Sequence, residues 1–160
     1  MTVKEVMTKD VAACWADMNL AEATALMCDK DCGALPVIAA EGEITRMLMD
    51  RNICIGLGTR NVRSSDINVA DVLQDHVLSC KPSDDVHHVA LQLMRVRKVR
   101  RLPVVNDESR LEGIVSMDDI VRNAQPDGEM GSVVSYGDVV SSLQAIYSRN
   151  KPLEANPAVA

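Results

Sequence analysis

The sequence has no phenylalanine, and its only aromatic residues are Trp15, Tyr136 and Tyr147. A core built from this chain is therefore aliphatic, with methionine as an adaptable filler among a 47% share of hydrophobic residues. Positive charge is also in deficit: 17 Lys and Arg face 23 Asp and Glu, for a formal net charge of −6. That balance argues against non-specific binding to nucleic acid or to an anionic membrane, both of which reward a basic surface. With so few aromatics, stacking platforms for single-stranded nucleic acid are missing too. No apolar run is long enough to cross a bilayer, and no basic-then-apolar leader opens the chain. A soluble, cytoplasmic protein without a membrane partner is expected.

Catalytic sets are equally absent. No Ser-His-Asp, Cys-His or paired-carboxylate arrangement stands out, so the chain is not expected to be an enzyme. The five cysteines, Cys14, Cys28, Cys32, Cys54 and Cys80, are odd in number and lie mostly in apolar stretches, as free thiols do in a reducing compartment. Cys28 and Cys32 are spaced for one helical face. His76, His87 and His88 have no ligand spacing relative to them, and no metal site is expected.

What the chain does have is a repeat. Val3-Lys-Glu-Val-Met7 answers to Val69-Ala-Asp-Val-Leu73, and Val11 to Cys14 answers to Val77 to Cys80. Leu20 and Ala23 answer to Val86 and Val89, Met27 to Met94, and Leu35-Pro36-Val37-Ile38 to Leu102-Pro103-Val104-Val105. The offset grows from 66 to 67 along the way, so one residue has been added in the helix of the second copy.

Each copy reads as a helical turn, a short strand (Ala12 to Cys14; Leu78 to Cys80), an amphipathic helix, a hairpin and a closing helix. The pattern is β-α-β-β-α, and the fold class is α/β (α+β). Asn19 with Glu22 forms a capping box, and Gly33 is placed to end the first amphipathic helix. The apolar stripes are Leu20, Ala23, Leu26 and Met27 in copy one, and Val86, Val89, Ala90, Leu93 and Met94 in copy two. Residues 1–57 and 69–124 form the repeats, joined by a linker at 58–68. A second linker (125–134) leads to a C-terminal helix (135–149) capped by Ser135 and carrying Val139, Val140, Leu143, Ile146 and Tyr147. Residues 150–160 read as a disordered tail. One copy buries too little surface to be secure alone, so the two should pack together.

The Val-x-x-Val-Met/Leu starts, the Leu-Pro-Val-Val/Ile strands and the Gly113-Ile-Val-Ser116-Met-Asp-Asp119-Ile segment together resemble the tandem CBS-domain proteins, whose paired repeats are called Bateman modules. The resemblance covers roughly Val3 to Ala124. It implies two repeats packed about a pseudo-twofold axis, with two clefts between them, and dimerisation of such pairs into a flat disc. It also implies adenosine-containing ligands (AMP, ADP, ATP or S-adenosylmethionine) and a regulatory role towards a separate effector protein.

From chemistry alone, a carboxylate such as Asp119 can accept hydrogen bonds from both cis hydroxyls of a ribose. Ser116 adds a hydroxyl, and the following helix N-terminus favours an anion. Ser116 and Asp119 are equally an N-cap with an acidic third residue. The resemblance places ribose binding at these two positions. It further implies that Asp10, Ala12, Cys32 and Gly33 wall the base, and that Arg101 meets phosphate. In copy one, Arg46, Met49 and Asn52 stand where Gly113, Ser116 and Asp119 stand, so one good and one degenerate cleft are expected.

Arg95, Arg97, Lys98, Arg100 and Arg101 form the densest basic cluster, read either as a solvated helix end or as a source of phosphate contacts. His87 and His88 read as solvated, and Trp15 as a packing residue or, following the first strand, one that flanks the cleft.

Overall fold

A computed structural model describes residues 1–73, 77–126 and 134–148. The expected tail at 150–160, most of the 125–134 linker and His76 lie outside the described residues.

The chain opens with a single helical turn, α1 (Val3–Val6), followed by α2 (Leu20–Asp29), the hairpin β1 (Ala34–Ile38) and β2 (Ile44–Met49), and α3 (Asp50–Arg60). After two short 3-10 turns, Ser64–Asp66 and Val69–Asp71, the second copy runs through a π-helical segment, Val86–Leu91, into α4 (Gln92–Arg97). The hairpin β3 (Arg101–Val105) and β4 (Leu111–Ser116) follows, then α5 (Met117–Asn123) and finally α6 (Tyr136–Tyr147).

The strand expected first in each copy contracts to one residue. Cys14 bridges Val37, with Cys14 N–H donating to Pro36 O at 2.9 Å and Ile38 N–H to Cys14 O at 2.9 Å. Cys80 repeats this beside Val104, at 3.0 Å and 3.0 Å. The next rung of each parallel ladder would need an N–H from Pro36 or Pro103, which proline lacks. The chain therefore leaves the sheet upstream of each cysteine. Both bridging thiols are buried, and burial pushes Cys14 up to about 11 and Cys80 up to about 12, as suits cysteines acting as small hydrophobes.

The added residue of copy two takes the form of the π-helical segment. Ala90 N–H reaches Asp85 O at 3.3 Å, a five-residue closure that absorbs one extra residue without displacing the helix ends. Burial moves the insertion slightly: Ala23 is matched by buried Ala90 rather than by half-buried Val89, and Leu91 joins the core. The first helix ends differently from expectation as well. Asp31, at φ 49°, is the left-handed residue, with Asp31 N–H on Cys28 O and Cys32 N–H on Met27 O in a Schellman arrangement. Lys98, at φ 54°, does the same after α4. Gly33 is small for another reason, since a Cβ there would lie 3.0 Å from Asp50 Oδ2.

The copies exchange their opening turns. Val3 N–H bonds Asp84 O at 2.8 Å, and its counterpart Val69 N–H bonds Met18 O at 2.8 Å. Val3 and Val6 are consequently buried among second-copy residues such as Val86, Met94, Leu102 and Ile120. Ile67, Val69 and Val72 complete the first-copy core of Leu20, Met27, Leu35, Leu48 and Ile53. The hairpin tips also meet, Glu43 bridging Arg110, its own counterpart. These reciprocal contacts define the pseudo-twofold axis.

α6 packs against the second copy. Ser135 caps it, accepting from Asp138 N–H, and Val139, Ser142 and Ile146 are buried. Val140 and Tyr147 of the same apolar set are exposed. His87 is not simply solvated: its Nε2 lies 3.1 Å from Asp138 Oδ1 on α6. Trp15 is half exposed rather than packed.

Candidate functional site

The chain crosses from one copy to the other between Thr8 and Cys14. At one end, Thr8 exchanges hydrogen bonds with Ile114 on the edge of β4 (2.8 and 2.9 Å); at the other, Cys14 joins β1. Asp10 makes the turn between them at φ 53°, a conformation that aspartate tolerates better than most residues. This crossing segment, the end of α2 with the start of β1, and the β4–α5 junction enclose a cavity of about 390 Å³. All seven residues singled out from the sequence line it: Asp10, Ala12, Cys32, Gly33, Arg101, Ser116 and Asp119. Thr8, Lys30, Asp31, Asp118 and Arg122 line it too and were not anticipated. The volume suits a small organic ligand, but other surface hollows are as large, so it is the lining chemistry that distinguishes this one.

Asp119 is the centre of that chemistry. It is only 4% exposed, a buried carboxylate facing the cavity. Oδ2 accepts from Ser116 N–H at 2.9 Å and from Ser116 Oγ at 2.6 Å. Oδ1 accepts from Thr8 Oγ1 at 3.2 Å and from Arg122 Nη2 at 2.6 Å. Ser116 Oγ in turn accepts from Asp119 N–H at 3.2 Å, closing a full capping box at the start of α5. The cap reading of this pair is thus realised, and the same two residues line the cavity. Because these cap bonds occupy two N–H groups at the helix start, an anion in the cavity would rely more on cations than on the helix terminus.

Arg101 stands directly across from Ser116 in the β3–β4 register, and Lys30 approaches from the end of α2. Two other members of the basic cluster, Lys98 and Arg100, reach α6 instead. Lys98 Nζ donates to Ser148 O at 2.9 Å and Arg100 to Tyr147 Oη at 3.4 Å, both at the end of α6.

Gly113 permits the cross-copy contact. A Cβ there would lie 2.5 Å from Thr8 O, closer than any real side chain sits to a carbonyl oxygen. Arg46 carries a Cβ at the matching place in copy one. Copy one also has a weaker cap, with Asn52 Oδ1 accepting Met49 N–H at 3.0 Å and no hydroxyl to answer. Among the described residues no cluster of three or more His, Cys, Asp or Glu could hold a metal ion. Among them, too, no helix is long and apolar enough to cross a membrane.

Comparison with known proteins agrees with this architecture. The CBS domain family model matches residues 3–57 and 69–125. A CBS domain-containing protein of Bacillus subtilis, YhcV, is 33% identical over 134 residues, 84% of this chain and 93% of that protein. The crystal structure of Hypoxic Response Protein I with two coordinated zinc ions superposes with a TM-score of 0.70 at 26% identity, over 79% of this chain and all (100%) of that one. The CBS domain pair of MJ0100, solved with 5′-methylthioadenosine and S-adenosyl-L-methionine, gives 0.66 at 21% identity, over 76% and 94%. CBSX2 in complex with AMP gives 0.65 at 23%, over 76% and 93%. Two matched repeats, exchanged opening turns and a cavity between the copies lead to one conclusion: the chain belongs to the CBS-domain family, as a tandem pair.

Proposed function

We propose that this CBS pair is a regulatory module that binds an adenosine-containing ligand, such as AMP, ADP, ATP or S-adenosylmethionine, in the cavity between its copies. The observation that carries this reading is Asp119, a buried carboxylate presented to a cavity at the junction of the two copies. In this reading Asp119 and Ser116 take the ribose hydroxyls. Asp10, Ala12, Cys32 and Gly33 wall the base, and Arg101 with Lys30 meets the anionic end. The ligands named for the MJ0100 and CBSX2 structures support the same chemical class. One ligand per chain follows from Arg46, Met49 and Asn52 in copy one. Binding shifts the relative setting of the copies, and a homodimer passes that shift to a separate effector protein.

Titration calorimetry with AMP, ADP, ATP and S-adenosylmethionine tests the reading. At least one ligand should bind at one per chain, and Asp119→Asn should weaken it about tenfold or more, the cost of losing charged hydrogen bonds. Asparagine is the right substitution because its amide oxygen can still accept the cap bonds. Alanine at both Ser116 and Asp119 would remove the cap of α5 and confuse binding with stability. Undiminished affinity in folded Asp119→Asn would rule out the site.

A second reading, a ligand-free interaction module, draws on one observation: Tyr136, Val140 and Tyr147 all stand exposed on α6. A nucleotide screen without any thermal shift, alongside self-association lost in Tyr136→Ser with Val140→Ser, would favour it.

A further inference from the structure

Asp119 already accepts four hydrogen bonds, about as many as a carboxylate has lone pairs to offer. Two hydroxyls of a ribose cannot be added to it; they must replace partners. The four bonds are unequal in how readily they exchange. The two from Ser116 belong to the α5 cap, and their loss leaves the Ser116 N–H and hydroxyl without the carboxylate. The two on Oδ1 do not, and of these Thr8 belongs to a segment tied by backbone bonds to β4. Arg122 is different. Its side chain is 69% exposed, it touches Asp119 through one nitrogen, and it lines the cavity itself.

We infer that Arg122 is a charge gate on Asp119, one that exchanges the carboxylate for the anionic group of the ligand. A ligand with a phosphate gives the displaced guanidinium a new partner in the same cavity while its ribose takes the vacated Oδ1. A neutral nucleoside must displace Arg122 and offers nothing in return. Arg122 thereby makes the cavity selective for anionic over uncharged adenosine ligands. The exchange is one ion pair for another, so its net cost is small when phosphate is present. This inference rests on the proposed reading of the cavity as an adenosine site.

The test uses the full chain, with AMP and adenosine as probes, in the wild type, Arg122→Gln and Arg122→Lys. Calorimetry should show wild type preferring AMP. In Arg122→Gln the two affinities should move in opposite directions, adenosine strengthening by about threefold and AMP weakening by about tenfold, as loss of one charged hydrogen bond implies. Arg122→Lys, which keeps the charge without the planar fork, should fall between. The exposed position of Arg122 leaves folding intact, which an unchanged melting temperature verifies. If both affinities shift the same way by a similar factor in Arg122→Gln, Arg122 supplies only a background field and the gate is overturned. If wild type binds neither probe, the gate is overturned; the adenosine reading falls with it only if ADP, ATP and S-adenosylmethionine also fail to bind.

Discussion

Gly58 and Gly113 show how differently one residue type is used in this chain. Gly58 lies inside α3, and a Cβ there would meet nothing within 4 Å. Gly58→Ala should stabilise the protein by about 0.5–1 kcal/mol, because alanine loses less freedom than glycine on entering a helix. Gly113→Ala should cost about 1–3 kcal/mol, since the new methyl meets the Thr8 carbonyl oxygen and forces β4 and the crossing segment apart. Thermal melts of the two variants should bracket the wild type, and a Gly113→Ala protein as stable as wild type would contradict the close approach. Ser116 and Asp119 were legible at this scale, because their three-residue spacing carries meaning in any helix start. Arg122 left a fainter sign, a cation three residues beyond an acid on the same short helix. Thr8 left none. It meets Asp119 across 111 positions of chain, and nothing in a threonine's neighbours announces such a contact.

The elements repeat the lesson with larger pieces. The change of offset from 66 to 67 announced an inserted residue, but not that a π turn would hold it or that it would present His87 to Asp138. Likewise the Leu-Pro-Val motif was readable as a strand, while its role in stopping the neighbouring ladder depends on which strand lies beside it. The contact of α6 with the π segment yields a pH prediction. Ser135, through its N–H and hydroxyl, holds the Asp138 carboxyl below its ordinary value, with His87 adding to the effect. At Asp85, burial pushes upward but is outweighed by the His88 N–H and imidazole and by the terminal amino group, so it too is lowered. Groups depressed in the folded state stabilise it above their ordinary range, and that contribution disappears as pH falls through their folded values. The seating of α6 should therefore weaken below about pH 4. The scarce aromatics make convenient probes: Tyr136 and Tyr147 sit on α6, and Trp15 lies in copy one. Tyrosine fluorescence should change at higher pH than tryptophan fluorescence on acid titration. Coincident transitions would show that α6 is not the weaker part.

Across the whole molecule, the repeat was readable and the exchange of its opening turns was not. Val3 and Val6 satisfy the same apolar pattern whichever core receives them, so sequence periodicity cannot assign them. Contacts such as the hydrogen bonds of Val3 to Asp84 and of Val69 to Met18 show that each copy lends its first turn to the other. The exchange predicts that fragments 1–62 and 63–160 will each lack a cooperative melt, because each core is missing two or three of its buried side chains. Mixed together, the fragments should recover one transition by circular dichroism. Independent folding of either fragment would show the exchange to be dispensable.

The same exchange bears on how the chain is made. Residues leave the ribosome in order, yet the first-copy core waits for Ile67, Val69 and Val72, and Val3 waits for a partner more than eighty positions away. Folding of the first half cannot finish while it is the only part synthesised. The nascent chain holds exposed aliphatic surface until much of the second copy has emerged, a period in which long-range closure is slow and association with other unfolded chains competes.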